Sequence, residues 1–311
     1  MREYFMTSEA LKFEIRDNVL SIVGKDTPEE KELKAFDLLV RDIGKAYRAE
    51  LLSKEDLKEL ARSFGDDFLN NTMQGFGLLK PYGYAGDFMM IDKIYTQWES
   101  GIPKYKIWDE YFHNHAAPKA VRNRKKYFKK VFSNLASQTN DELHILNVAS
   151  GPARDLLEIM EMAHVKDIPV FATCVDIDDN AIQYASKLLK PYEQKVSLVH
   201  KNMFFFSPEY KYDLVWSAGL FDYFNDRMFR IGLSKMKKWV SPGGTIIVGN
   251  FNKENNPSRD YMEIFGEWFL YHRTKDELIK LALDAGFERE NICVSSEEEN
   301  VNLFLHIKMP A

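Results

Sequence analysis

Short apolar runs alternate with amphipathic stretches throughout the second half of the chain. The runs predict strands, and the stretches between them have the three-to-four-residue spacing of helices that bury one face. Strands are predicted at 143–149, 169–176, 196–202, 212–218 and 243–251, and helices at 153–163, 179–189 and about 226–240. Strict alternation favours βαβ units with right-handed crossovers, and therefore a parallel sheet covered on both faces.

The end of the chain breaks this alternation. A helix is predicted at 275–285, where Gly286 stops it, and the segments 290–296 and 300–309 follow as two strands. Strands this close in sequence suit an antiparallel pair at the end of the sheet. The predicted fold class is therefore α/β, a doubly wound Rossmann-like sheet with a terminal antiparallel hairpin.

The first part of the chain has a different pattern of predicted elements. Helices are predicted at 28–50, from Ser53 onward and at 117–135, whereas 11–23 alternates loosely and predicts a small hairpin. Residues 75–87, GFGLLKPYGYAGD, are rich in Gly, Pro and Tyr and predict a shaped loop. The change of texture near residue 140 predicts a mainly helical N-terminal region, 1–138, followed by the α/β domain, 139–311.

Composition and charge narrow the classes of function. The 311 residues carry 42 Lys+Arg against 47 Asp+Glu, a net charge of −5, and no clustered basic face, which argues against nucleic acid as a partner. No stretch approaches the roughly 18 apolar residues of a membrane span. Cys174 and Cys293 fit neither a disulfide scaffold nor a metal-ligand spacing, so we expect a cytoplasmic protein without a metal. The sequence leaves open whether it forms a homodimer.

Three predicted strand ends carry residues suited to binding a nucleoside-containing ligand. The turn 149–153, ASGPA, has small residues that allow close approach to a helix N-terminus, and Asp155 follows it. Asp176 closes the second strand, where an acid can accept both ribose hydroxyls. Asn202 to Phe204 follow the third strand and can contact an adenine. A tight connection, a helix cap and core packing are the respective structural alternatives.

Residues 143–311 resemble the class I S-adenosylmethionine-dependent methyltransferases. The similar motifs, in chain order, are LNVASGPARD, VDID, HKNMF, YDLVWSAGLFDYF and SPGGTIIVGNF. The resemblance implies S-adenosylmethionine as the cofactor. It places cofactor contacts at Asn147, Ala149, Ser150, Gly151, Asp155, Asp176, Ile177, Asn202, Met203, Phe204, Ser217, Ala218 and Gly219.

The chain departs from this family's usual glycine-rich pattern at two points. Asn147 replaces the acidic residue common on the first strand, and the turn keeps only Gly151 where two or three glycines are usual. The amide of Asn147 can still hold the amino acid end of the cofactor. These departures support a competing interpretation, a protein that binds the cofactor or a partner without catalysis.

Residues 80–95 and 267–287 resemble a bacterial group of methyltransferases that includes enzymes similar to 3-hydroxypalmitate methyl ester synthase. The similar element in 80–95 is Lys-Pro-x-Gly-Tyr-Ala-Gly-Asp. A mainly helical region with such a loop, placed before a doubly wound sheet, is suited to cap the cofactor crevice, with Tyr84 on the cap and Arg122 or Arg124 pairing a carboxylate of cofactor or substrate. Turn packing is the alternative for the tyrosine, and a solvated helix face is the alternative for the arginines. We take Tyr84 and Arg122 as contacts to the cofactor as well as catalytic candidates.

The expected reaction is O-methylation of a small, fatty-acid-like carboxylic acid to its methyl ester. A carboxylate has a lone pair at neutral pH and needs no general base, so alignment and exclusion of water supply most of the catalysis. His115 is a candidate base for a hydroxyl or amine acceptor, and Arg273 a candidate for orienting a carboxylate. N- or C-methylation of another metabolite is the alternative reaction.

Overall fold

The computed structural model describes residues 8–23, 28–138 and 141–311, and the chain divides into two compact units. The first unit comprises residues 1–118 with Pro257–Phe269, and the second comprises Lys119–Asn256 with Leu270–Ala311. The division therefore lies at Pro118, earlier than the boundary at residue 138 predicted from sequence texture. All but the first three residues of a long helix, Ala116–Ala136, belong to the second unit, where Phe128 and Phe132 lie in a core cluster with residues of the sheet.

The second unit is built on one sheet. Its strands are β1 (Leu143–Val148), β2 (Val170–Asp176), β3 (Val196–His200), β4 (Tyr212–Ser217), β5 (Val240–Phe251), β6 (Ile292–Ser296) and β7 (Asn302–Lys308). Within the described residues the sheet has seven strands in the order β3-β2-β1-β4-β5-β7-β6; β7 runs antiparallel to β5 and β6, and the other pairs are parallel. The doubly wound fold and its terminal antiparallel pair are confirmed.

Helices connect and cover these strands. In chain order the helices are α1 (Ser8–Val23), α2 (Glu30–Arg48), α3 (Lys54–Arg62), α4 (Asp66–Asn71), α5 (Met73–Leu79), α6 (Phe88–Thr96), α7 (Pro103–Asn114), α8 (Ala116–Ala136), α9 (Arg154–Val165), α10 (Asp179–Leu188), α11 (Asp226–Met236), α12 (Arg259–Phe265) and α13 (Lys275–Asp284). From α9 to α11 they alternate with the strands, which confirms the predicted βαβ pattern.

The two faces of the sheet bury separate apolar clusters. In β4, Leu214 and Trp216 lie in a cluster with residues of α8 and α9, and Val215 lies in the other with residues of α11 and α13. This division follows from the alternation of side chains along a strand. The ring of Phe128 on α8 stacks on Trp216 with a centroid distance of 4.4 Å, so aromatic contact fixes α8 to the sheet.

In the first unit, the segment expected to be a hairpin is helical. Residues 11–23 form most of α1, and the prediction of a hairpin is wrong. Ile15 and Val19 are buried four residues apart, with Leu11 half-buried on the same face, so the loose alternation was a helical stripe.

The predicted loop 75–87 is also partly helical, because its first residues belong to α5. A Cβ on Gly75 would lie 1.9 Å from the backbone oxygen of Leu69, so this glycine permits close packing of α4 and α5. The turn itself is confined to residues between Lys80 and Asp87, where Gly83 and Gly86 adopt positive φ.

Among the described residues, no helix combines the length and the apolar character required to cross a membrane.

Replacing Phe128 by alanine tests how strongly α8 depends on its aromatic contact. Phe128 is completely buried, and we expect Phe128→Ala to lower the free energy of unfolding by about 3–5 kcal/mol. Urea unfolding followed by tryptophan fluorescence measures this change. Lys130→Ala, at an exposed position of the same helix, should stay within about 0.5 kcal/mol of the natural protein. Equal effects of the two substitutions would contradict the assignment.

Candidate functional site

The carboxyl ends of four neighbouring strands carry most of the predicted site residues. The strand order β3-β2-β1-β4 brings these ends to one edge of the sheet, because the four strands are parallel. The turn after β1, Asp176 at the end of β2, Asn202 after β3 and Ser217 at the end of β4 therefore share this edge. Ligands of doubly wound sheets bind at this kind of edge.

The turn after β1 keeps an unusual backbone although it has few glycines. Ala149, Gly151 and Ala153 have φ angles of 52°, 53° and 53°, all in the left-handed region. Left-handed backbone costs a non-glycine residue about 1–2 kcal/mol, so the two alanines are strained. Alternation of ordinary and left-handed residues turns backbone N–H groups toward a concavity that accepts anionic or electron-rich groups. The turn thus keeps its form despite the missing glycines.

Asp176 fastens this turn to the end of β2. Its Oδ2 accepts a hydrogen bond from Gly151 N at 2.8 Å, and its Oδ1 accepts one from Asp178 N at 2.9 Å. Burial raises the pKa of this carboxyl, whereas the backbone donors oppose the rise. A carboxylate oxygen accepts more than one hydrogen bond, so both oxygens retain acceptor capacity for hydroxyl groups.

A second carboxyl group lies beneath the turn. Asp155, in the first turn of α9, accepts Leu156 N at 2.8 Å, Trp216 Nε1 at 3.3 Å and Asn147 Nδ2 at 3.4 Å. Burial raises the pKa of Asp155, and the charge of Arg124 lowers it. Asn147, which stands where the resembled family commonly has an acidic residue, therefore donates to the carboxyl group of Asp155.

The end of β4 is held from two sides. Ser217 is fully buried and donates from Oγ to the carbonyl of Val148 at 2.9 Å, which joins β4 to β1. Arg124 of α8 donates from Nη1 to the carbonyl of Ala218 at 2.9 Å. A Cβ on Gly219 would lie 3.0 Å from this same nitrogen, so glycine makes room for the guanidinium.

The segment after β3 separates into buried and exposed residues. Asn202 caps a short 3-10 turn by accepting Phe204 N at 2.9 Å on its Oδ1, which leaves its Nδ2 as the donor toward a ligand. Met203 is buried in a core cluster against which Phe204 packs, so both side chains have a packing role. Ile177, after β2, is 63% exposed and presents an apolar side chain beside Asp176.

Two of the four catalytic candidates belong to the first unit. Tyr84 lies in the turn between α5 and α6 with 41% of its surface exposed. The ring of His115 stacks on Tyr261 at a centroid distance of 4.4 Å and meets Tyr111 edge-on at 4.5 Å. The catalytic roles of Tyr84 and His115 stay predictions.

The other two candidates are arginines of the second unit. Arg122 is half-buried on α8 and is attracted by Glu299. Arg273 is buried and donates to Asn250 Oδ1 and Asp226 Oδ1, both at 2.9 Å, and to the carbonyls of Phe221 and Phe224. These four hydrogen bonds of Arg273 hold the segments after β4 and β5, and its role in orienting a substrate carboxylate stays a prediction.

Sequence reasoning undervalued one buried residue at this edge. Asp222 follows β4 and accepts Phe251 N at 2.6 Å, which ties β4 to the end of β5. Burial raises the pKa of Asp222 to about 7, and the charges of Arg124 and Arg273 oppose the rise. Its position in the stretch YDLVWSAGLFDYF was the only available signal, since burial among arginines is a property of the folded chain.

The residues at this edge fit an adenosine cofactor with an amino acid end. Asp176 offers acceptors for hydroxyls, and Ile177 offers an apolar surface. Nε of Arg124 is buried and has no hydrogen-bond partner among the described residues. A buried donor without a partner is costly, which is consistent with a site completed by a bound group.

Comparisons with known proteins agree with this geometry. The model of a methyltransferase domain family matches residues 145–244, which contain the turn, Asp176, Asn202 and the end of β4. No curated protein matches the chain. Residues 145–244 of the second unit therefore resemble a methyltransferase domain.

Solved structures resemble the chain in fold. A possible exported protein from Bordetella parapertussis is 15% identical with a TM-score of 0.64, over 100% of this chain and 99% of that one. Magnesium protoporphyrin IX methyltransferase from Synechocystis PCC 6803, with S-adenosylmethionine bound, is 12% identical with a TM-score of 0.47, over 63% of this chain and 84% of that one. N-methyltransferase NodS from Bradyrhizobium japonicum WM9 is 14% identical with a TM-score of 0.43, over 61% and 97%.

Ala149→Gly tests the strain in the turn. Glycine removes a left-handed penalty of about 1–2 kcal/mol but adds about 0.4–1 kcal/mol of chain entropy to the unfolded state, so we expect the protein to be slightly more stable. In contrast, Ala185→Gly within α10 should cost about 1 kcal/mol. Thermal unfolding of both variants gives the comparison. A loss at position 149 as large as at 185 would contradict the strained geometry.

Proposed function

We propose that the protein is an S-adenosylmethionine-dependent methyltransferase, which methylates a carboxylate oxygen of a small organic acid and forms a methyl ester. The observation that carries the choice of acceptor is the resemblance of residues 80–95 and 267–287 to methyl ester synthase-like enzymes. When bound, the cofactor supplies an electrophilic methyl group, which a carboxylate accepts as the carbon–sulfur bond breaks, so no proton has to be removed.

The residues at the carboxyl edge have separable roles in this proposal. Asp176 accepts the ribose hydroxyls, and Ile177 packs against the adenine, to which Nδ2 of Asn202 donates a hydrogen bond. The turn 149–153 and Asp155 hold the amino acid end of the cofactor, and Ser217, Ala218 and Gly219 line the region of the transferable methyl.

The burial and the hydrogen bonds of two carboxyl groups support an acceptor that needs no general base. Asp155 and Asp222 are 6% and 1% exposed and accept hydrogen bonds from the protein. A general base must reach the proton that it removes, within about 3 Å or through one water molecule. A carboxylate acceptor, which is already ionised at neutral pH, makes no such demand.

A second candidate function is methylation of a neutral hydroxyl or nitrogen. The observation that favours it is Asp222, because burial raises the pKa of this carboxyl to about 7, a value suited to a base. The two candidates differ in the chemistry of their products.

Incubation with methyl-labelled S-adenosylmethionine and a panel of acceptors separates these candidates. We expect label to enter fatty and hydroxy-fatty acids and to be released as methanol by mild alkali, because methyl esters hydrolyse there. The matched controls are the amides and alcohols of the same chain length, which should remain unlabelled. A product that keeps its label in alkali would favour the second candidate, and no product with any acceptor would favour a non-catalytic binding protein.

Asp176→Ala tests the cofactor contacts. Loss of charge-assisted hydrogen bonds to two hydroxyls should weaken the binding of S-adenosylhomocysteine by about 1.5–3 kcal/mol, roughly 10- to 150-fold in calorimetry. Because burial raises the pKa of Asp176, binding by the natural protein should weaken on acidification at a pH above the usual range of an aspartate.

Two variants serve as controls for this test. Asp176→Asn keeps one acceptor for the backbone, and it should fold normally and still bind weakly. Asp179→Ala removes an exposed carboxylate three residues away and should bind as the natural protein does. Undiminished binding by folded Asp176→Ala would remove Asp176 from the site.

A further inference from the structure

Arg124 is the buried basic residue on α8, whose other basic residues are half-buried or exposed. It is 4% exposed, whereas Lys126 and Lys130 on the same helix are exposed to solvent. Burial of a charge costs free energy unless partners compensate for it. The position of Arg124 therefore requires an explanation within the second unit.

Small residues at the end of β4 admit the guanidinium. Nη1 of Arg124 donates to the carbonyl of Ala218 at 2.9 Å. A Cβ on Gly219 would lie 3.0 Å from Nη1, and one on Gly249 would lie 2.4 Å from that carbonyl oxygen. The Ala218 carbonyl is thus held between β5 and Arg124, and any larger side chain at either glycine would disturb it.

Two buried carboxyl groups share the charge of Arg124. Arg124 attracts both Asp155 under the turn after β1 and Asp222 after β4. Asp155 also accepts from Asn147, Leu156 N and Trp216, and Cys174 is near enough to be affected by its charge. Asp222 also faces Arg273 and accepts Phe251 N. Arg124 is therefore a cation that acts on both carboxyl groups.

The segment of α8 that carries Arg124 is held firmly by its neighbour. Asn123 donates to Glu297 Oε2 at 3.0 Å, and Glu297 also accepts the backbone N–H groups of Glu299, Val301 and Asn302. Glu297 is 6% exposed, so these bonds lie away from water. The turn between β6 and β7 thereby fixes the height of α8 above the sheet.

We propose that Arg124 is a positioning residue of the cofactor site, which pins the Ala218 carbonyl at the end of β4 and supplies the positive charge shared by Asp155 and Asp222. This inference rests on the proposed placement of the cofactor at the carboxyl edge. Arg124 acts through the backbone and through the two carboxyl groups, and so combines a geometric and an electrostatic effect. Different substitutions separate these effects.

The experiment measures S-adenosylhomocysteine binding by calorimetry between pH 6 and 9, with the carboxyl ¹³C resonance of Asp222 followed in aspartate-labelled protein and assigned with Asp222→Asn. Arg124→Met removes both effects. We expect about tenfold weaker binding at pH 7 and a titration of Asp222 displaced upward by about one pH unit, because a lost positive neighbour favours the protonated acid. Arg124→Lys keeps the charge, so the titration should stay near that of the natural protein while binding falls by about threefold.

Gly219→Ala and Lys130→Met complete the comparison. Gly219→Ala disturbs Nη1 without removing charge, so binding should fall while the titration of Asp222 stays in place. Lys130→Met removes an exposed charge from the same helix and should change neither quantity. A merely structural role of Arg124 would lower stability without moving the titration.

The outcomes separate this inference from the proposed function. If the natural protein fails to bind S-adenosylhomocysteine, the proposed cofactor site fails, although the Asp222 titration still tests the electrostatic half of the inference. If the natural protein binds and folded Arg124→Met binds equally well with an unmoved titration, the inference on Arg124 is overturned. Should Arg124→Met not fold, Arg124→Lys and Gly219→Ala decide: normal binding by both variants overturns the inference.

Discussion

A carboxylate at the end of one strand holds the turn that follows its neighbour, and the geometry of the site depends on this contact. Asp176 accepts the N–H of Gly151, which ties the turn after β1 to the end of β2, and it also accepts the N–H of Asp178, two residues later in the chain. Without this acceptor, the left-handed turn would have to hold its strained alanines by its own backbone alone. The same oxygens face the ligand edge, so one group both builds the site and remains able to bind.

Buried charged groups also connect the turn after β1 with the residues after β4. Asp155 lies below the turn, Asp222 lies beyond β4, and Arg124 attracts both. Among the described residues, no salt bridge joins any two of Asp155, Asp222 and Arg124. Arg124 attracts them through a low-dielectric interior, where electrostatic interactions are stronger than in water. Consequently the strand ends are coupled although their side chains are separate.

The sequence was sufficient to predict the sheet, because apolar runs and helical stripes are properties of neighbouring residues. It was also sufficient to predict that Asp176 ends a buried strand. The turn after β1 contains three left-handed residues, although only one of them is a glycine. The sequence was insufficient to predict α1, because Ile15 and Val19 also fit a loose alternation of apolar and polar residues. The structure shows that both lie on the buried face of a helix. The sequence was also insufficient to predict that Arg124 is more buried than Arg122, because the space for Arg124 depends on glycines that are distant in the sequence.

The chain leaves the second unit after β5 and returns before α13, and the excursion Pro257–Phe269 belongs to the first unit. Its helix α12 buries Tyr261, Ile264 and Phe265 there, in contact with α2, α3 and α5. The second unit is therefore interrupted in sequence, and no single cut of the chain separates the two units. A fragment that begins near residue 139 would carry α12 without its apolar partners, so the second unit depends for its solubility on residues that a sequence-based boundary would discard.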